Sequence, residues 1–176
     1  MRRRLLAAAS MIVMAGASAF ADEEINNERT SPVRTSTSGD IVITSSGRVT
    51  LTGNPGPAVV VDSDNTLETR SGSQINIDNQ DGAIGVHLEG GRNGGFAHAG
   101  VIGLRDSEVR GEVPLDEPLD SLTDETGKTG LLVGTPGGNP FTGDVSLLVG
   151  SNISVVGQDS FGVHVSSGLV GDLTVN

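Results

Sequence analysis

The chain has 176 residues, with 26 glycines, four phenylalanines, no Trp, Tyr or Cys, and a formal net charge of -11. So acidic a chain is a poor partner for nucleic acid or an anionic membrane surface. It can form no disulfide, and with so few aromatics its core must be built from Val, Ile and Leu.

In chain order, residues 1–21 read as a cleaved export signal. Arg2, Arg3 and Arg4 form a basic start, Leu5 to Ala15 an apolar run, and Ala19-Phe20-Ala21 a small-x-small site before the acidic Asp22-Glu23-Glu24. Ser10, Gly16 and Ser18 interrupt the run, which is too short to span a bilayer comfortably. Cleavage is expected between Ala21 and Asp22, and loss of the three arginines leaves the remainder more acidic still. Residues 22–38 are polar, carry Pro32 and show no periodicity, which predicts a disordered leader.

From Gly39 to Asn176 short runs of alternating apolar and polar residues are separated by Gly, Ser, Asn and Asp, the pattern of strands and turns. The run Gly72 to Leu88, ending Gly-Val-His-Leu, is written again from Gly150 to Val165, ending Gly-Val-His-Val. A repeat built from strands too short to bury a face alone predicts a solenoid. Three strands per turn are expected. The first starts at Ile41, Leu67, Val101, Val145 and Leu173; the second at Val49, Ile75, Val109 and Ile153; the third at Val59, Val86, Leu131 and Val163. First and second strands are eight residues apart in every turn on this alignment, which predicts a tight corner without insertions. Extra residues fall in Glu89 to Gly100, Gly111 to Thr129 and Gly134 to Gly143, all rich in breakers. The third turn carries one irregularity, since a slip of one residue there would turn Ile102 and Leu104 inward. Because parallel connections favour the right-handed sense, the fold class predicted is all-β: a right-handed parallel β-helix of about four turns over residues 39–176.

The Gly-Ser-Asn-Ile-Ser-Val, Gly-Val-His-Val and Gly-Asp-Leu-Thr-Val units after a signal peptide resemble the passenger domains of proteobacterial autotransporters, the type V secretion proteins. The resemblance covers Gly39 to Asn176 and implies a β-helix carried to the cell surface or outside the cell. Its partner would be an outer-membrane β-barrel translocator, on the same longer chain or a separate one. No such barrel is written in these residues, since its strands need aromatic girdles, and the segment reads as the N-terminal part of a passenger. The resemblance implies a non-enzymatic, adhesin-like role with a host surface or glycan as ligand. The alternative is the N-terminal turns of a polysaccharide-active β-helix enzyme whose site lies beyond residue 176.

Candidate chemistry within the chain is sparse. Gly127-Lys128-Thr129 resembles the end of a phosphate loop, but Leu122 stands where that loop needs Gly, so a turn is expected. Asp62 to Thr66, Asp78 to Gly82 and the acidic stretch Asp116 to Glu125 have calcium-loop composition without a complete ligand set. His87 and His164 are expected outward on the third strand with Leu132 between them, two strand spacings apart and too far to share a metal. Ser160 lacks a nucleophile elbow, and His98 is expected in a glycine loop. No catalytic, cofactor or metal residue is assigned, and no row of outward side chains gathers carboxylates as glycan cleavage requires.

Overall fold

The structure, a computed structural model, describes residues 22–106 and 126–176. Residues 1–21, read above as an export signal, and Val109, Arg110 and the acidic stretch Asp116 to Glu125 lie outside the described residues.

The chain winds through five coils and begins a sixth. The first holds β1 (Glu23–Ile25), β2 (Glu28–Arg29), β3 (Val33–Arg34) and one helical turn, α1 (Thr35–Ser38). The second holds β4 (Ile41–Ile43), β5 (Arg48–Thr52) and β6 (Val59–Val61); the third β7 (Thr66–Thr69), β8 (Gln74–Asp78) and β9 (Ile84–Leu88). The fourth holds β10 (Gly95–His98), β11 (Val101–Arg105), β12 (Thr129–Val133) and β13 (Phe141–Thr142). The fifth holds β14 (Val145–Leu147), β15 (Asn152–Val155), β16 (Phe161–Val165) and β17 (Leu169–Val170), and β18 (Leu173–Val175) opens the sixth. Every strand pairs in parallel with its counterpart one coil away. Sheet A runs β1-β4-β7-β10-β14-β18, sheet B β2-β5-β8-β11-β15, and sheet C β3-β6-β9-β12-β16. The fold is a parallel β-helix, as the repeat predicts.

Period two explains the interior. Val49, Ile75, Ile102 and Ile153 form one inward row of sheet B, and Leu51, Ile77, Leu104 and Val155 the next. Val59, Val86, Leu131 and Val163 form the corresponding row of sheet C. Each aliphatic side chain taken from water here contributes about 1.5–3 kcal/mol.

Three expectations are corrected. Residues 22–38 are the first coil and not a disordered leader: Ile25 and Val33 are buried, and Glu23 is tied to Arg29 and Ser38. Its strands have two or three residues, too few to show a period in the sequence. Second, Val101 does not start a strand of sheet A. That place in the fourth coil belongs to β10, with Phe96 beside Leu67 and Val145, and Val101–Arg105 is the strand of sheet B. Ile102 and Leu104 therefore point inward. Third, the corner between sheets A and B is not constant. It holds Arg70 to Ser73 in the third coil but only Ala99 and Gly100 in the fourth. This shortening, hidden among the glycines of Glu89 to Gly100, produced the misplaced strand.

At the corner where sheet C begins, Ala58, Gly85, Gly130 and Gly162 follow one another coil by coil. A Cβ at Gly130 would stand 2.4 Å from Ile153 Cγ2 and 2.6 Å from the Gly162 carbonyl oxygen; one at Gly85 would stand 2.6 Å from Ile102 Cγ2. The isoleucine row of sheet B fills this space at Gly85 and Gly130, where glycine is a packing requirement, whereas at Gly162 the nearest atom, Ile153 Cγ2, stands 4.0 Å away.

The two ends differ. At the N-terminal edge the strands are short and carry Glu23, Glu24, Glu28, Arg29 and Arg34, the means by which edges are blunted. At the C-terminal edge β15, β16, β17 and β18 have no further partner among the described residues, and Val163, Val165, Leu173 and Val175 are exposed.

Candidate functional site

Outward side chains form rows over the three faces. Sheet A shows Glu24, Val42, Glu68, Ala97, Ser146 and Thr174. Sheet B shows Thr50, Asn76, Gly103 and Ser154, and sheet C Val60, His87, Leu132 and His164. On sheet A, Val42 separates Glu24 from Glu68, and Glu68 is paired with Arg70 at 3.1 Å. A groove of about 200 Å³ lies there, lined by Asp22, Glu23, Glu24, Val42 and Arg70. It is smaller than the roughly 300–1,000 Å³ of ordinary ligand pockets, and open.

His87 and His164 stand where the repeat puts them, on either side of Leu132. They do not meet. His87 Nε2 donates to the Gly134 carbonyl at 3.1 Å, and the His164 ring packs against Phe161 with centroids 4.9 Å apart. Val60 and Leu132, outward by alternation, are nonetheless buried, so the centre of sheet C is apolar on both faces.

His98 is the residue misplaced most. It lies in β10 with its ring inward, wholly buried, and not in a glycine loop. The alternation Phe96-Ala97-His98 beside Leu67-Glu68-Thr69 was the available signal.

The acidic corners have a common use. Asp40 Oδ1 accepts the Thr66 backbone N–H at 2.7 Å, Asp64 that of Asn93 at 3.1 Å, Asp81 that of Thr126 at 2.7 Å, and Asp144 that of Asp172 at 3.1 Å. Each aspartate caps a backbone donor of the following coil, where the parallel ladder stops at a corner. Asp62 works backward, accepting from the Ser36 N–H at 2.8 Å, the Ser36 hydroxyl at 2.9 Å and Arg34 at 3.0 Å. Burial pushes its pKa up, but these hydrogen bonds outweigh it and hold the carboxyl below its ordinary value. The calcium-like composition of Asp62 to Thr66 is thus engaged in binding coil to coil. Among the described residues no three His, Cys, Asp or Glu side chains gather as a metal site.

Lys128 also departs from its motif. It is wholly buried, its N–H donates to Ser160 Oγ at 3.0 Å, and its ammonium donates to the Arg105 carbonyl at 3.2 Å. An anion at this turn would have to displace those bonds. Ser160 in turn donates to the Gln158 carbonyl at 2.9 Å, so its hydroxyl serves the corner.

Fold and faces together define a class: a parallel β-helix whose polar groups mostly serve its own corners and whose broad faces are mixed Thr, Ser, Asn and aliphatic. Comparison with known proteins finds no matching family model, no matching curated protein and no matching solved structure.

Proposed function

We propose that this chain is the exported β-helix passenger of an autotransporter-type system, displayed at the cell surface or released, and adhesin-like in its action. The observation that carries the reading is the regular coil stack with extended, shallow outer faces. The hydroxyls and amide of sheet B (Thr50, Asn76, Ser154) and the hydroxyls of Ser146 and Thr174 on sheet A are the chemistry that binds a glycan or a host surface through many weak contacts. The lack of cysteine suits a chain that crosses two membranes before folding, with an outer-membrane barrel as translocator. The export signal at residues 1–21 and the repeat of Gly-Val-His and Gly-Asp-Leu units support the same route.

Two measurements test it. Mass spectrometry of the protein recovered outside the cytoplasm is expected to find Asp22 as the N-terminus; an intact Met1 in that fraction would defeat the export route. Binding to a glycan array is expected to be weak for the monomer and strengthened by multivalent display on beads. Turnover of a polysaccharide without retention on the array would favour an enzyme instead.

A further inference from the structure

Down the inside of sheet A runs the row Ile25, Ile43, Thr69, His98, Leu147 and Val175, aliphatic except for a hydroxyl and an imidazole side by side at its centre. Two aliphatic side chains there would satisfy the core with no polar group to partner. The pair that stands instead is closely built.

The His98 ring stacks on Phe96, with centroids 5.7 Å apart and planes at 17°. Nδ1 is 2.5 Å from Thr69 Oγ1, and Nε2 is 3.5 Å from the carbonyl oxygen of Asn152 in the next coil. A carbonyl only accepts, so the hydrogen of the neutral ring sits on Nε2, and Nδ1 accepts from the Thr69 hydroxyl. The neutral ring is then satisfied at both nitrogens. A proton on Nδ1 would force the Thr69 hydroxyl to turn its own hydrogen away from the ring, and would place a charge in an interior closed to solvent.

Among the described residues no compensating anion faces the ring. Inward residues of the strands packed around it are Leu67 and Thr69 of β7, Val145 and Leu147 of β14, Ile102 of β11 and Ile153 of β15. Glu68 and Arg70 are exposed and paired with each other on the outer face of sheet A, and Arg105 is exposed at the far end of β11. His98 leads directly into the shortened corner, Ala99-Gly100, where Ala99 N–H bonds the Thr69 carbonyl and Leu148 N–H bonds that of His98. The third, fourth and fifth coils meet at this point.

We propose that Thr69 and His98 form an acid-sensitive joint: protonation of His98 breaks the pair and opens the sheet A to sheet B corner at Ala99-Gly100, loosening the coils on either side while the rest of the stack stays wound. Burial pushes the His98 pKa down, opposed by the Asn152 carbonyl, in agreement with the geometry. The sign follows. The unfolded ring titrates near 6.5 and the folded ring below it, so the joint is at full strength above about pH 6.5 and weakens as pH falls toward the folded value. Within that window one proton raises the opening constant by up to about tenfold per pH unit.

Amide hydrogen exchange on the whole chain, corrected for the intrinsic pH dependence, reads this directly. From pH 7 to 5.5 the opening constants of residues 96–101 and 148–152 are expected to rise up to about tenfold, with β5 and β8 unchanged. His98→Leu is expected to abolish the rise, and the double variant His87→Gln, His164→Gln to keep it. Should His98→Leu fail to fold, the imidazole NMR titration of the unaltered protein decides: a midpoint below the ordinary histidine value is expected. A ring titrating at or above that value, a pH response that survives His98→Leu, or a rise spread evenly over all coils would overturn the proposal.

Discussion

Gly130 shows how one residue is chosen by its neighbours across the interior. Its backbone is not in the left-handed region, so the requirement is space alone: a methyl group there meets Ile153 Cγ2 and the Gly162 carbonyl well inside contact distance. Gly130→Ala is expected to cost about 1–3 kcal/mol, measured as a lower denaturant midpoint with unchanged slope. Asp62 is held by bonds that its charged form makes, and its pKa lies below the ordinary carboxylate value. A depressed folded pKa means that its contribution is present above the unfolded value near 3.9 and is lost as pH falls through the folded one. Asp62→Asn is expected to cost about 1–2 kcal/mol at pH 7, a difference from the unaltered protein that closes on acidification through that range. The capping role was not legible in sequence, because a turn aspartate can bond its own corner as well as a neighbouring coil.

At the scale of the strand, register is what the rows determine. Leu51 faces inward beside Ile77, and Thr52 faces out beside Asp78. A shift of one residue would exchange the two faces. Leu51→Asp would bury an unpaired charge among aliphatics and is expected to remove several kcal/mol, enough to unfold a domain of ordinary stability. Thr52→Lys, which would stand beside Asp78, is expected within about half a kcal/mol of neutral. Paired denaturant melts check both, and equal losses would contradict the register. Alternation made sheet B of the second and third coils, and sheet C from the second coil to the fifth, readable from sequence. It failed in the fourth coil, where Phe96 and His98 alternate as well as Val101 and Gly103, and only pairing with Leu67 and Ile75 selects between them.

For the whole molecule the asymmetry of the ends has the largest consequence. No Lys, Arg or Glu follows Lys128, so the strands of the last coils lack the charges that guard the N-terminal edge. Residues 22–176 are expected to show fast amide exchange at β16 and β18, and concentration-dependent association in sedimentation. Ser154→Lys combined with Thr174→Lys, on exposed outward side chains of these edge strands, is expected to suppress the association with little change in the melt. Association undiminished by the two lysines would locate it on another surface.

The repeat of short alternating runs, the breaker-rich corners and the aliphatic rows are local properties, and they determined by themselves that the chain winds into a parallel β-helix. The outward placement of His87 and His164 came from the same period. What lies in the sequence only as composition needed the tertiary structure: that residues 22–38 close the first coil, that Ala99-Gly100 is a shortened corner, that His98 is inside, and that the corner aspartates cap neighbouring coils. Each depends on partners from 15 to 54 positions away in the chain. A period describes which face a side chain takes; which coil it meets there is decided by packing.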